Sequence, residues 1–306
     1  MNDASLVPGG PHVVALGGGH GLATALRAAR TYAGSVTGIV SVADDGGSSG
    51  RLRRDLGVLA PGDARRCLVA LSNDHDAWAR TFMHRFAGGE LDGHAVGNLV
   101  LVGLAETLGS FTAALGEAGR LLGSVGRVLP ACAGPVELKA QVARPEREAV
   151  EVAGEMAVAN SGNIRRVELV PADAAAPPEV AAALAAADQV VLAPGSLYTS
   201  IVPVVCVRDV RDALAATPGS VVQVANLRAE HPETAGLDAG DHLAAVLDHG
   251  GRVDTFLYDE DGELAVDEAR IRARGVEPVA GRMAAPGGHS HDPARLAAKL
   301  RGLLQS

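Results

Sequence analysis

A chain of 306 residues can bury a sizeable core without disulfide or metal staples. Its 27 Lys+Arg against 36 Asp+Glu give a net charge of -9, and no basic stripe interleaved with aromatics occurs, which argues against nucleic-acid partners. Although 47% of the residues are hydrophobic, no apolar run reaches the roughly eighteen residues of a membrane span, so none is expected.

The first eleven residues contain no cationic stretch followed by an apolar core, so neither a signal nor a transit peptide is read there and a cytoplasmic location is expected. Cys67, Cys132 and Cys206 are scattered and odd in number, which predicts reduced, buried thiols rather than a disulfide framework or zinc site.

His12 to Leu16 is a short apolar run and reads as a strand; Leu22, Ala25, Leu26 and Ala29 then recur at helical spacing. Between them lies Gly17-Gly18-Gly19-His20-Gly21, whose backbone N–H groups and positive helix end can converge on a phosphate. The dinucleotide pattern G-x-G-x-x-G is filled at Gly17 and Gly19 but fails at Leu22, which weakens an NAD reading.

A second strand, Val36 to Ala43, runs into Asp44-Asp45-Gly46-Gly47-Ser48-Ser49-Gly50-Arg51, so rich in glycine and serine that it reads as loop. The paired Asp44 and Asp45 could take a sugar hydroxyl, hold a divalent cation or supply a general base, the plainer alternative being loop capping. Arg51 and Arg65 are candidates to pair with phosphate or with those acids, or simply to form surface salt bridges.

From Pro61 to about Leu122 the pattern is mainly helical, clearest over Ala64–Leu71 and Gly97–Leu108. Val136–Val142, Ala149–Ala153 and Arg165–Val170 alternate as strands and predict an antiparallel insertion over about 130–170, with Asn160-Ser161-Gly162-Asn163 as a turn. Helix–strand alternation resumes through Pro178–Ala187, Gln189–Leu192, Val207–Ala216, Val221–Asn226 and Ala239–His249, which predicts an α/β fold with a mostly parallel sheet.

The C-terminal ends of its strands would share one edge carrying the Gly17 loop, the Asp44 loop, Pro194-Gly195-Ser196 and Asn226. A C-terminal extension, about 252–306, adds a strand, a mobile stretch at Pro286–His289 and a last helix from Pro293, all within one domain of residues 1–306. Ser196, Tyr198, Thr199 and Ser200 lack the G-x-S-x-G elbow, so ligand contact is expected rather than nucleophilic catalysis. His94 and His242 remain open between core and catalytic roles.

Five segments together resemble the YvcK/GlmR family of the CofD-like superfamily: Gly17-Gly18-Gly19-x-Gly21, Val42 to Arg51, Pro61-Gly62-Asp63, Gly93-His94-x-x-Gly97-Asn98, and Pro194 to Ser200. The resemblance runs from about His12 to His249. It implies a Rossmann-like fold with helices on both faces of the sheet, binding of UDP-N-acetylglucosamine or a related nucleotide, and a regulatory role linking carbon metabolism to peptidoglycan precursor supply and cell shape. A regulatory protein partner and a homo-oligomer are compatible with it.

Carried onto these motifs, the ligand set is Gly17 to Gly21, Asp44, Asp45, Ser48, Ser49, Arg51, Asp63, Arg65 and Asn98, completed by Gly195, Ser196, Tyr198, Thr199 and Asn226. The family usually has threonine where this chain has His20, so a ring nitrogen would replace a hydroxyl at the phosphate. The related CofD transferases, which move a phospholactyl group from a nucleotide diphosphate to a deazaflavin, supply the alternative function. In that case Asp45 or Asp63 would act as base or as ligand to a magnesium ion (Mg2+); the Asp44–Arg51 segment looks like the regulatory branch.

Overall fold

Runs such as Val13–Leu16, Val190–Leu192 and Val221–Val224 are buried on consecutive rather than alternate residues, as strands covered on both faces must be. In the computed structural model, which describes residues 6–73, 76–144 and 147–305, they form the centre of a parallel sheet. Residues 1–5, part of the stretch in which no signal or transit peptide is expected, lie outside the described residues.

The strands in chain order are β1 (His12–Gly17), β2 (Ser35–Val40), β3 (Arg127–Pro130), β4 (Glu137–Arg144), β5 (Arg147–Ala153), β6 (Ile164–Val170), β7 (Gln189–Leu192), β8 (Ser220–Val224), β9 (Thr255–Asp259) and β10 (Glu277–Gly281). Seven make one sheet in the order β10-β9-β8-β7-β1-β2-β3, every neighbouring pair parallel. The remaining three form an antiparallel sheet, β5-β4-β6, the predicted insertion. Helices cover both faces of the larger sheet, and among the described residues no helix is long and apolar enough to cross a membrane.

Strand order reverses between β1 and β7, since the chain steps outward from β1 to β2 and β3, then returns to build β7 to β10 on the other side. At such a switch point the two following loops diverge and leave a crevice beyond the strand ends. The Gly17 loop follows β1 and the Pro194 loop follows β7, so both flank that crevice.

Two sequence expectations are corrected. The Asp44–Arg51 segment is not loop throughout: Gly47–Leu56 is a helix, with Gly46 at its N-cap. Gly50 packs so closely on the Asp45 carbonyl that a Cβ would collide, so its glycines permit a tight helix entry rather than a flexible loop. The extension contributes two strands, β9 and β10, not one. Its Pro286–His289 stretch is a turn in which His289 Nδ1 lies 2.7 Å from Arg228 Nη1. The sequence reading had no counterpart to β3, a four-residue strand too short to show a period.

Candidate functional site

The glycine loop is the first turn of the helix Gly19–Ala29, with Gly18 at its N-cap. Gly21 touches the facing loop so closely that a Cβ would collide with the Pro194 carbonyl, which fixes the ridge between the two loops. Leu22 N–H bonds back to the Gly18 carbonyl, closing that first turn. The amide of Gly19 donates to Asp63 Oδ2 at 2.6 Å, whereas those of His20 and Gly21 find no acceptor among the described residues. Two backbone donors at a helix N-terminus are thus available to an anion.

On one side of this ridge lies a cleft of about 340 Å³ bounded by Gly19, Asp44, Ser48, Ser49, Asp63, Ser196 and Thr199. These seven predicted residues are brought together there. Burial pushes the Asp44 carboxyl upward, opposed by the Gly46 N–H that it accepts at 2.9 Å. Asp63 pairs through Oδ1 with Arg66 Nη1 at 2.6 Å.

The sequence reading missed three charged groups of this cleft: Arg66, Arg85 and Glu155. Arg66 was within reach, because it stands three residues after Asp63 on one helix and therefore shares its face. Glu155 comes from the short helix that follows β5, and nothing local marks it. Burial, then the charges of Asp44, Asp45 and Asp63, push its carboxyl up to about 7.

On the other side lies a smaller cleft of about 230 Å³ with His20, Gly21, Gly195 and Asn226 in its wall. Burial, then Arg66, lowers the His20 pKa, so its ring is neutral near pH 7. Asn226 exchanges two hydrogen bonds with Gly195, its Oδ1 accepting from the amide at 2.8 Å and its Nδ2 donating to the carbonyl at 2.9 Å. It therefore positions the loop.

The other predicted residues lie outside both cleft linings. Gly17 closes β1 and Gly18 packs on Asp63 and Ser200. Asp45 turns away and accepts the Met156 amide at 2.9 Å, tying the insertion to the loop after β2. Arg51 donates to the Asp92 carbonyl. Arg65 is 1% exposed and packs beneath Gly97 and Phe82, its Nε and Nη1 without partners, and burial lowers its pKa to about 10.

Asn98 lies one layer below the larger cleft, donating to Ser48 Oγ at 3.0 Å, and His94 Nδ1 meets the same hydroxyl at 3.1 Å. Tyr198 is buried, and its amide with that of Thr199 donates to Glu233 Oε1 at 2.6 and 3.1 Å. His242 is a core residue, 2% exposed. The three cysteines are free, Cys67 and Cys132 buried and Cys206 half-buried.

Among the described residues no cluster of three or more His, Cys, Asp or Glu side chains is arranged to hold a metal ion. Asp63 and Asp45, either of which the alternative function would use as base or magnesium ligand, spend oxygens on Gly19, Arg66 and Met156. The described residues do not form a resident metal cage.

A reversal point flanked by a glycine turn with open amides, and by clefts on either side, places the protein in the Rossmann-like α/β class. A family model described as "2-phospho-L-lactate transferase CofD" matches residues 13–284. The "Putative gluconeogenesis factor" of Mycobacterium tuberculosis is 43% identical over 306 residues, spanning 95% of this chain and 90% of that protein. The "Gluconeogenesis factor" of Halalkalibacterium halodurans is 38% identical over 272 residues, 88% of this chain and 83% of its own.

A crystal structure of a UPF0052 family member from Bacillus halodurans superposes with a TM-score of 0.90 at 34% identity, covering 95% of this chain and 99% of that one. The chain belongs to the CofD family, alongside its gluconeogenesis-factor members.

Proposed function

We propose that the protein binds a nucleotide sugar, UDP-N-acetylglucosamine, as a regulator linking carbon metabolism to peptidoglycan precursor supply and cell shape. The observation that carries the binding reading is the pair of clefts meeting at the Gly19–Gly21 ridge. A diphosphate has two bulky, polar ends, and a ridge with open amides between two pockets suits its middle.

The larger cleft suits the sugar, because Asp44 and Glu155 offer acceptors to hydroxyls while Arg66 can turn toward phosphate. The glycine ridge, rather than the N-terminus of the Gly47–Leu56 helix, is the phosphate seat in this reading. Regulation rests on the family's gluconeogenesis-factor members and on closure of the surrounding loops against a protein partner.

Isothermal titration of the full chain with UDP-N-acetylglucosamine tests the binding. Saturable heat at micromolar ligand is expected; its absence at high micromolar concentration overturns the reading. A second function, transfer from a nucleotide-diphosphate donor, is favoured by the match to the transferase model and by the acids of the larger cleft. Turnover of a nucleotide-lactyl donor would establish it in place of the first.

A further inference from the structure

Arg228 and His289 are both exposed, and both help to line the smaller cleft. Their side chains meet, Arg228 Nη1 lying 2.7 Å from His289 Nδ1. A guanidinium can only donate, so Nδ1 accepts and the ring proton is on Nε2. Among the described residues Arg228 has no ion pair with a carboxylate, and this imidazole nitrogen is its side-chain partner.

The guanidiniums of the larger cleft are committed differently. Arg66 is held by Asp63 Oδ1 at 2.6 Å, and Arg85 donates to the Gly93 carbonyl at 2.7 Å. Three carboxylates, Asp44, Asp63 and Glu155, line that cleft against these two cations. The carboxylate lining the smaller cleft is Glu230, and its Oε2 accepts the Ser196 hydroxyl at 2.6 Å. A diphosphate thus meets an excess of its own sign on one side of the ridge, and on the other a cation held only by a ring nitrogen.

That partner is exchangeable. The C-terminal extension supplies His289, Ser290 and His291 to the lining, and the turn that carries His289 closes on its own backbone. Ala285 N–H donates to the Ser290 carbonyl at 2.8 Å and Gly288 N–H to the Ala285 carbonyl at 2.9 Å, so the turn does not depend on Arg228. When the guanidinium leaves, water can serve the exposed ring in its place. A phosphate oxygen is a charged acceptor, and such bonds are about twice as strong as those to neutral groups.

We infer that Arg228 is the side chain that reads the charge of the ligand: it leaves His289 for an oxygen of the diphosphate on the ridge. His289 is the internal stand-in that holds the guanidinium beside the ridge until then. His20 and Gly21 share the lining with Arg228 in a space of about 230 Å³, so one phosphate can meet both the ridge and the arginine. This rests on the nucleotide reading above and deepens it, by naming the group that sets a diphosphate apart from an uncharged molecule of the same shape.

The test is titration of the full chain and of Arg228→Gln with UDP-N-acetylglucosamine and UDP, over a range of salt concentrations. At low salt the variant should bind both about tenfold more weakly, and the gap should narrow as salt rises, because an exposed charge is screened. His289→Ala frees the guanidinium and should bind both ligands at least as tightly as the wild type.

Equal affinity of the wild type and R228Q overturns the inference and leaves the nucleotide reading standing. A gap indifferent to salt would show that Arg228 only shapes its loop, and a tenfold loss in H289A would show that the histidine meets the ligand; either result also overturns it. No binding of UDP or UDP-N-acetylglucosamine by the wild type would instead bring down the nucleotide reading and this inference with it.

Discussion

Asp63 Oδ2 accepts the backbone N–H of Gly19 at 2.6 Å across 44 residues of sequence, so a carboxylate of the chain itself sits at the N-terminus of the helix Gly19–Ala29. A ligand phosphate approaching the next two amides meets this charge as a neighbour. Replacement Asp63→Asn keeps an acceptor for Gly19, removes the charge and releases Arg66. UDP-N-acetylglucosamine should then bind more tightly by about tenfold at low salt, roughly 1.4 kcal/mol. Titration calorimetry reads this directly, and a tenfold loss would show that Asp63 contacts the ligand itself.

Glu155 predicts the pH dependence of binding. With its carboxyl pushed up to about 7, it is mostly ionised at pH 8 and mostly protonated at pH 6. An anionic ligand favours the protonated form, so binding takes up a proton and tightens as pH falls through about 7. Because His20 and Asp44 also respond to acid, the diagnostic quantity is the difference between wild type and Glu155→Gln. The variant should lose the part of the slope between pH 8 and 6; identical slopes would show that Glu155 is remote from the bound charge.

Acid stability should be governed partly by His242, whose pKa burial lowers to about 4. The unfolded chain protonates this ring near 6.5 and the folded chain does not, so its contribution is whole above pH 6.5 and falls as pH drops toward 4. Between pH 6.5 and 5 the loss is about 2 kcal/mol. Glu155 and Glu233, each raised to about 7, act in the opposite direction, gaining stability as they protonate. Comparison with His242→Leu isolates the histidine: its melting temperature should fall less between pH 7 and 5 than that of the wild type.

Gly19 and Gly21 should respond differently to alanine. Gly19 has φ of 58° and open space around a Cβ, so G19A carries only backbone strain, about 1 kcal/mol. At Gly21 the added methyl meets the Pro194 carbonyl, so G21A must separate the two loops and should cost about 3 kcal/mol or more. Chemical denaturation distinguishes them, and equal midpoints would show that the Pro194 loop yields.

Much of this was visible in the chain before folding, for identifiable reasons. The alternation of Gln189–Leu192 with flanking helices specified β7 to the residue, because fully buried strands leave continuous apolar runs. The glycine turn and Asp44 announced themselves because each ends an apolar run. Gly47–Leu56 was hidden because its only buried apolar side chain is Leu52, too few to show a period.

Arg65 was read as a candidate and Arg66 was not; adjacent helical residues point about 100° apart, and here Arg65 is the one that faces inward. Glu155 and His291 come from the insertion and the C-terminal extension, and only tertiary packing brings them to the crevice.

The carboxylates that meet backbone amides around this edge have a consequence for discrimination. Asp63 answers Gly19, Asp45 answers Met156, and Glu233 answers Tyr198 and Thr199. The protein thus carries its own counter-anions where a bare set of helix ends would attract any small oxyanion. Inorganic phosphate or sulfate, offering one charge centre and nothing more, gains little by entering beside them. On the proposed reading, a molecule that fills the space on both sides of the ridge makes further contacts that outweigh that repulsion, and these carboxylates would select against simple anions.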